Sequence, residues 1–407
     1  MSVLRVALCA DFPEERWPSM DRVANELLAQ VSRNHSDAVE LTPICPPFAR
    51  RATRMWPAGR SFTVDRALNR WWDYPRHAKK VASEYELFHI VDHSYSQLVH
   101  RLPAGRTIVT CHDLDTFRSV LIPEDEPRSA IFQMATRRIL SGLKRAALVT
   151  CDTAAVREEL LGFGLVPPER VSVVPVGVGD GFSPDADERA DAAAGRLVAT
   201  APGSVEILHV GSASPRKRVD SLLEICAALV PSVPKLHLVR VGGPFSAEER
   251  RMIRDGGLTG RVSVIGFVDE RTLAALYRRA ALVLLPSERE GFGLPLLEAM
   301  ACGTPVVASD LPVLREVGGS AVEYCRVGET DTWVRAVRAL VDERRLDEPR
   351  WLARRMAGRV RASGFSWSRF AAGITDIYQT VASLKAEVSS LTVAPFTTQP
   401  RASSREP

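Results

Sequence analysis

Glu290 and Glu298 bracket the stretch Gly291-Phe292-Gly293-Leu294-Pro295-Leu296-Leu297. Two glycines after a carboxylate let a backbone pass close to a ligand. A helix starting near Leu294 would aim its first N–H groups and partial positive charge at a phosphate or a developing anion. Glu298 would lie about one turn into that helix, where a carboxylate accepts hydrogen bonds from ribose hydroxyls. Glu290, in the loop, would meet a sugar ring or a centre gaining positive charge. The plainer alternative is a surface glutamate and a capping glutamate on either side of a turn, since this spacing alone is loose.

A second set is His209-Val210-Gly211-Ser212-Ala213-Ser214-Pro215-Arg216-Lys217-Arg218. A glycine turn and three successive cations between an apolar run and a helical one make an anion site. A guanidinium, an ammonium and a helix end could face one diphosphate. A solvated charged loop is the alternative. A third set, Thr107-Ile108-Val109-Thr110-Cys111-His112-Asp113, ends an apolar run with a histidine able to hydrogen-bond a hydroxyl or a leaving phosphate. Asp92 and His93 close the run His89-Ile90-Val91 in the same way and are weaker candidates. No spacing here matches a metal motif.

These residues need a scaffold that brings loop ends together. Apolar runs at 3–10, 87–91, 107–111, 147–151 and 171–176 alternate with helical periodicity, for example Val23, Leu27, Leu28 and Val31 on one face. The pattern breaks over 177–203, which holds Gly177, Gly179, Gly181, Pro184 and an Asp/Ala-rich stretch. It restarts with strands expected at 205–210, 235–241, 262–265, 281–285 and 305–308. Strands alternating with helices imply a parallel sheet covered on both faces, with ligands beyond the carboxyl ends of the strands. The expected fold class is therefore α/β with two facing Rossmann-like domains and a cleft between them. The first covers 1–185 and is joined by a crossing helix at 367–385. Residues 186–203 are the expected linker, 204–366 the second domain, and 386–407 a disordered tail rich in Ser, Thr, Pro and Arg.

The chain has 407 residues, with 53 Lys+Arg against 49 Asp+Glu and a formal charge of +4. That length exceeds one core of about 250–300 residues. The small net charge gives no reason to expect nucleic acid. It conceals Arg50–Lys80, where nine Lys/Arg and two Asp give +7 among Trp56, Phe62, Trp71, Trp72 and Tyr74. That mixture suits an anionic lipid surface or an anionic acceptor; a solvated helix-loop with a buried aromatic face is the alternative. Seven cysteines without a CxxC pair suggest reduced thiols and a cytoplasmic protein, peripheral to the inner membrane face if that segment binds lipid. The first residues lack a secretory pattern, and no apolar run approaches the roughly 20 residues that span a bilayer.

Taken together, "LHVGSASPRKRVDSLLE" and "VSVIGFVDERTLAALYRRAALVLLPSEREGFGLPLLEAMACGTPVVASDLPVLREV" resemble the retaining glycosyltransferases of family 4, which have the GT-B fold. The likeness extends more loosely to "WPSMDRVANELL", "TIVTCHDLD" and "LVTCDTAAVREELLGFGLVPPERVSVVPVGV". The resemblance implies a hexosyltransferase moving a sugar from a nucleotide diphosphate to a glycan or lipid-linked acceptor. By position, Glu298 binds the ribose and Glu290 stands beside the donor sugar. The backbone of Gly291, Phe292, Gly293 and Leu294 holds sugar hydroxyls or phosphate. Lys217 serves the diphosphate on the loop of Gly211, with Arg216 beside it where many members have an arginine at the position of Ser212. Val268, in Gly266-Phe267-Val268, meets the base, and His112 lies near the transferred sugar. Many members carry Gly-Gly where this chain has Pro18-Ser19-Met20-Asp21. The catalytic set is thus Glu290, His112 and Lys217, with no metal or other cofactor required. The phosphate-loop form favours GDP-mannose over UDP-sugars and places the protein in surface-polysaccharide synthesis. A nucleotide-sugar or polyanion-binding protein without transfer, or a nucleotide-sugar epimerase, are the other readings.

Overall fold

The computed structural model describes residues 3–56 and 60–392. The tail from 393 onward, part of the stretch expected to be disordered, lies outside the described residues. The Trp367–Thr392 helix covers 386–392.

The first sheet contains β1 (Leu4–Cys9), β2 (Val39–Pro43), β3 (Leu87–Ile90), β4 (Thr107–Cys111), β5 (Leu148–Cys151) and β6 (Val171–Val173), in the order β2-β1-β3-β4-β5-β6. The second contains β7 (Val205–Gly211), β8 (Leu236–Gly242), β9 (Val262–Ile265), β10 (Leu282–Leu285), β11 (Val306–Ser309) and β12 (Glu323–Cys325), in the order β12-β11-β10-β7-β8-β9. Every strand pair is parallel. The central strands are apolar on both faces because helices cover both. All four residues of Leu87–Ile90, Leu148–Cys151 and Leu282–Leu285 are buried. The edge strands β2 and β12 carry exposed or half-buried polar residues, and the apolar-run reading did not include them.

The strand order reverses between β1 and β3 in the first sheet and between β7 and β10 in the second. Loops leaving adjacent strands at such a point diverge to opposite faces and open a crevice. Those loops hold Asp11 and Asp92 in the first domain, and Lys217 and Glu290 in the second.

Part of the expected linker is a helix. Glu188–Leu197 is capped by Asp187, which accepts from Ala190 N at 3.1 Å. It buries Ala190 and Ala194 against the Glu270–Arg279 helix, and Arg278 Nη2 reaches Asp191 Oδ1 at 2.6 Å. Its apolar face is made of alanines, too small to register as a hydrophobic stripe in an Asp-rich stretch. The segment therefore packs with the second domain. The Trp367–Thr392 helix packs on the Pro18–Asn34 helix of the first domain. It buries Phe370, Ile374, Tyr378 and Val381 at helical spacing, and the Tyr378 hydroxyl meets His89 Nδ1 at 2.8 Å.

Candidate active site

The two motif loops of the second domain meet at its switch point. The loop after β7 turns through Pro215–Lys217 before the Val219–Leu229 helix. The loop after β10 runs from Pro286 to Gly293. They are stitched by the Glu288 N–H, which donates to Arg216 O at 2.8 Å. Arg216 Nη1 donates to Arg289 O at 3.1 Å. Between them Lys217 Nζ donates to Glu290 Oε1 at 2.6 Å, and Ser287 Oγ donates to the same oxygen at 2.7 Å. Arg216 Nη1 is 3.6 Å from Glu290 Oε2. Burial works to raise the Glu290 pKa, but Lys217 and Arg216 overcome it and hold the carboxyl below the usual glutamate value. Glu290 is therefore a carboxylate, kept charged in a site that excludes most water.

Gly211, the last residue of β7, lies against the base of this pair. A Cβ there would sit 3.6 Å from Lys217 Cδ. His209 is fully buried with its pKa lowered to about 4 by burial, so its ring is neutral, and Nδ1 faces Leu284 O at 3.0 Å.

The Leu294–Ala301 helix starts at Gly293, whose φ of 95° is open to glycine and strained for other residues. No side chain caps that end; Pro295 has no N–H, and the Leu296 and Leu297 N–H groups donate to Gly293 O at 2.9 and 3.2 Å. Phe292 turns its ring into the core, 5.8 Å from Phe365, and leaves its backbone at the cleft. Gly291 touches the first domain: a Cβ on it would overlap the His112 carbonyl oxygen. Glu298 is buried inside the helix's second turn. Its Oε2 accepts from the Tyr277 hydroxyl at 2.8 Å, and its Oε1 accepts from Arg22 Nη1 at 2.6 Å. Burial raises its pKa against the pull of Arg22 and Tyr277. Val268 is half-buried in the loop after β9, beside Phe267, whose ring is 79% exposed.

His112 leaves β4 at the cleft edge, with both ring nitrogens engaged. Nδ1 is 2.6 Å from Asp152 Oδ2 and Nε2 is 2.8 Å from Val91 O. Burial alone would lower its pKa, yet the nearby carboxylates, Asp152 first, raise it to about 9. The ring is thus an imidazolium donating from both nitrogens, and it offers neither of them free. Asp152 was not among the sequence candidates. The register was its signal, since Cys111 pairs with Cys151 and so places His112 beside Asp152.

Two further groups join the site that motif reading left out. Asp115 Oδ2 lies 3.2 Å from Arg216 Nε, and its Oδ1 accepts from Arg289 Nε at 2.8 Å. Arg22 reaches Glu298 from the first domain. Both bridge the cleft across more than 100 residues of sequence, and no local pattern encodes them.

A cavity of about 570 Å³ opens on the first-domain side, and Ser212, Ser214 and Arg216 form part of its wall. Asp92, His93 and His112 line it, so the weaker pair Asp92 and His93 does belong to the cleft. Asp92 holds Ser94 N at 2.7 Å, and His93 meets Thr116 Oγ1 at 3.2 Å. Trp17, Trp71 and Phe132 also line the cavity, and all three rings are exposed. Within Arg50–Lys80, Tyr74 is buried and Phe62 stacks on Phe48, while Met55, Trp56, Trp71 and Trp72 are exposed. Arg51 pairs with Asp73, and Arg76 lies over the Trp72 ring. Among the described residues, no helix is long and apolar enough to cross a membrane.

Residues 199–355 match the family described as Glycosyl transferases group 1, and residues 21–180 that described as Glycosyltransferase Family 4. Among curated proteins, a D-inositol 3-phosphate glycosyltransferase of Frankia alni is 33% identical over 66% of this chain and 67% of its own. One of the same description from Rhodococcus erythropolis is 31% identical over 67% of this chain, and the match spans 62% of that relative. The chain thus spans a little under two thirds of the length of some of its curated relatives. Among solved structures, Anabaena Alr3699/HepE in complex with UDP-glucose superposes with a TM-score of 0.67 at 16% identity, covering 94% of this chain and 100% of that one.

Proposed function

The chain belongs to glycosyltransferase family 4 and has the GT-B fold, and on that footing we propose that it moves a hexosyl group from a nucleotide diphosphate sugar to a hydroxyl acceptor, with retention at the anomeric carbon. The observation that carries this reading is the Lys217–Glu290 pair at the switch point, flanked by Arg216 and the uncapped helix end at Gly293. Breaking the bond between sugar and diphosphate puts positive charge on the sugar ring and negative charge on the leaving phosphate. Arg216, Lys217 and the backbone N–H groups of residues 291–294, which lead into the helix, would stabilise the phosphate, and positioned charges do this best where little water competes. Glu290 would stand beside the ring. Glu290 is tied to Lys217 and Arg216, and Asp113 and Asp115 to Arg216, which makes each a poor nucleophile for a double displacement. The acceptor oxygen would therefore attack on the face the phosphate leaves, and a phosphate oxygen would take the acceptor proton. These cations supply the charge that a metal would otherwise bring.

Two donors fit the reading. The phosphate-loop form favours GDP-mannose, and the structural neighbour holds UDP-glucose. The relatives act, by their description, on an inositol phosphate, which makes an anionic polyol one acceptor to test. A lipid-linked acceptor is the other. Its support is the ring of exposed Trp17, Trp71 and Phe132 around the cavity, with exposed Ile131 and Met134 adjoining. Such a rim suits an acceptor whose polar head enters the cavity from a lipid surface.

Thermal melting against GDP-, UDP- and dTDP-sugars tests the donor, because a ligand of the folded state stabilises it by RT ln(1 + [L]/Kd). Nuclear magnetic resonance of the product then reads the anomeric configuration. Stabilisation by one nucleotide family and an unchanged anomer are expected. An inverted product, or no stabilisation by any nucleotide sugar, would refute the proposal. Stabilisation without turnover would favour a binding protein, and a changed sugar released without an acceptor would favour an epimerase.

A further inference from the structure

The second domain's donor groups are held by charges from the first domain, and each of these has the polarity of the ligand it faces. Ribose hydroxyls would donate to Glu298; Arg22 donates to it at 2.6 Å. A diphosphate would pair with Arg216; Asp115 pairs with it at 3.2 Å, with Asp113 at 4.0 Å. Arg22 stands on the Pro18–Asn34 helix and is fixed on three sides. Besides Glu298 it lies 3.9 Å from Glu270, and its guanidinium faces the Phe182 ring at 5.6 Å. Asp115 is likewise clamped, between Arg216 and Arg289.

We infer that Arg22 and Asp115 are built-in substitutes for the donor, exchanged for ribose and diphosphate when the nucleotide sugar binds, and that they thereby set donor affinity. The inference rests on the assignment of Glu298 and Arg216 to the donor. The physical reason for such substitutes lies in the burial of their partners. Glu298 is 4% exposed, and a carboxylate shut away without a cation is costly. With Arg22 on Glu298 and Asp115 on Arg216, the two domains close on paired charges. A donor then competes with these contacts, and its apparent affinity falls by the fraction of molecules in which they are made. Arg22 is a positioning residue in this scheme, since the donor meets Glu298 only where Arg22 has left.

Calorimetric titration of the full chain with UDP and with GDP tests this. Arg22→Ala and Asp115→Asn should each tighten the nucleotide that the protein binds by at least ~5-fold, and Arg22→Lys should stay within about 2-fold of the native chain. Small-angle scattering should show a larger radius of gyration for Arg22→Ala, and melting curves report whether each variant folds. Unchanged or weaker nucleotide binding in a folded Arg22→Ala chain overturns the role of Arg22. The same result in Asp115→Asn overturns that of Asp115, independently of the first. Glu298→Ala separates this from the underlying reading. If it leaves nucleotide affinity unchanged, the ribose assignment itself has failed, whereas a weakening of Glu298→Ala alongside an unchanged Arg22→Ala refutes the exchange alone.

Discussion

Lys217 and Glu290 depend on each other because both are nearly excluded from water. Removing one leaves the other buried and unpaired, which costs more than the pair contributes. Lys217→Ala is expected to lower kcat/KM at least ~10-fold, taking one lost charge-assisted contact at roughly 1.5–3 kcal/mol. Full activity at limiting donor would remove Lys217 from the phosphate site. Glu290→Gln keeps the shape and loses the charge, so turnover should collapse while calorimetry still detects nucleotide. His112 sets a pH dependence. Its folded pKa is raised from 6.5 to about 9, so its contribution to stability is complete below about pH 6.5 and is lost as pH rises through 9. The melting temperature should fall across that interval, and Asp152→Asn should flatten the fall; an identical slope in the variant would count against the pairing. The residue types at Lys217, Glu290 and Glu298 were legible because each sits in a short motif. Arg22 was not, since its partner is 276 positions away and nothing nearby distinguishes it from any helical arginine.

Elements show the same division. The buried strands of both sheets stand out as apolar runs because helices cover both their faces. Val39–Pro43 and Glu323–Cys325 lie at sheet edges with mixed sequences that carry no such run, whereas the opposite edges, Val171–Val173 and Val262–Ile265, keep enough valine and isoleucine to show one. The Glu188–Leu197 helix hid for a related reason, packing through two alanines. The loop from Pro286 to Gly293 is the element most sensitive to a single atom. Gly291 passes the His112 carbonyl with no room for a Cβ, so Gly291→Ala must push the second domain's loop off the first domain. We expect kcat to drop at least ~10-fold, about 1.4 kcal/mol in barrier terms, with the melting transition retained. Unchanged turnover would show that the close approach is not needed in the reacting state.

At the scale of the molecule, the +7 of Arg50–Lys80 survives folding as an exposed basic and aromatic face beside the cavity. Arg54, Lys79 and Lys80 make no ion pair among the described residues, while Arg51 pairs with Asp73 and Arg66 and Arg70 with Glu15. If the acceptor is lipid-linked, the chain should co-sediment with phosphatidylglycerol vesicles and release as salt rises. Each basic residue near such a surface is worth about 1 kcal/mol, so Lys79→Gln with Lys80→Gln should weaken binding by roughly tenfold or more. No difference between anionic and neutral vesicles would rule that surface out. The Trp367–Thr392 helix has a consequence of another kind. It closes the first domain, yet it is made only after the whole second domain has been synthesised. At synthesis rates of about 5–20 residues per second, the first sheet would wait roughly 10–40 s for its cover. Through that interval the groove for Phe370, Ile374 and Tyr378 lies open on a nascent chain. The second domain can fold on schedule, so the first one to be translated is the last to be finished, and it is the half that a chaperone would have to guard.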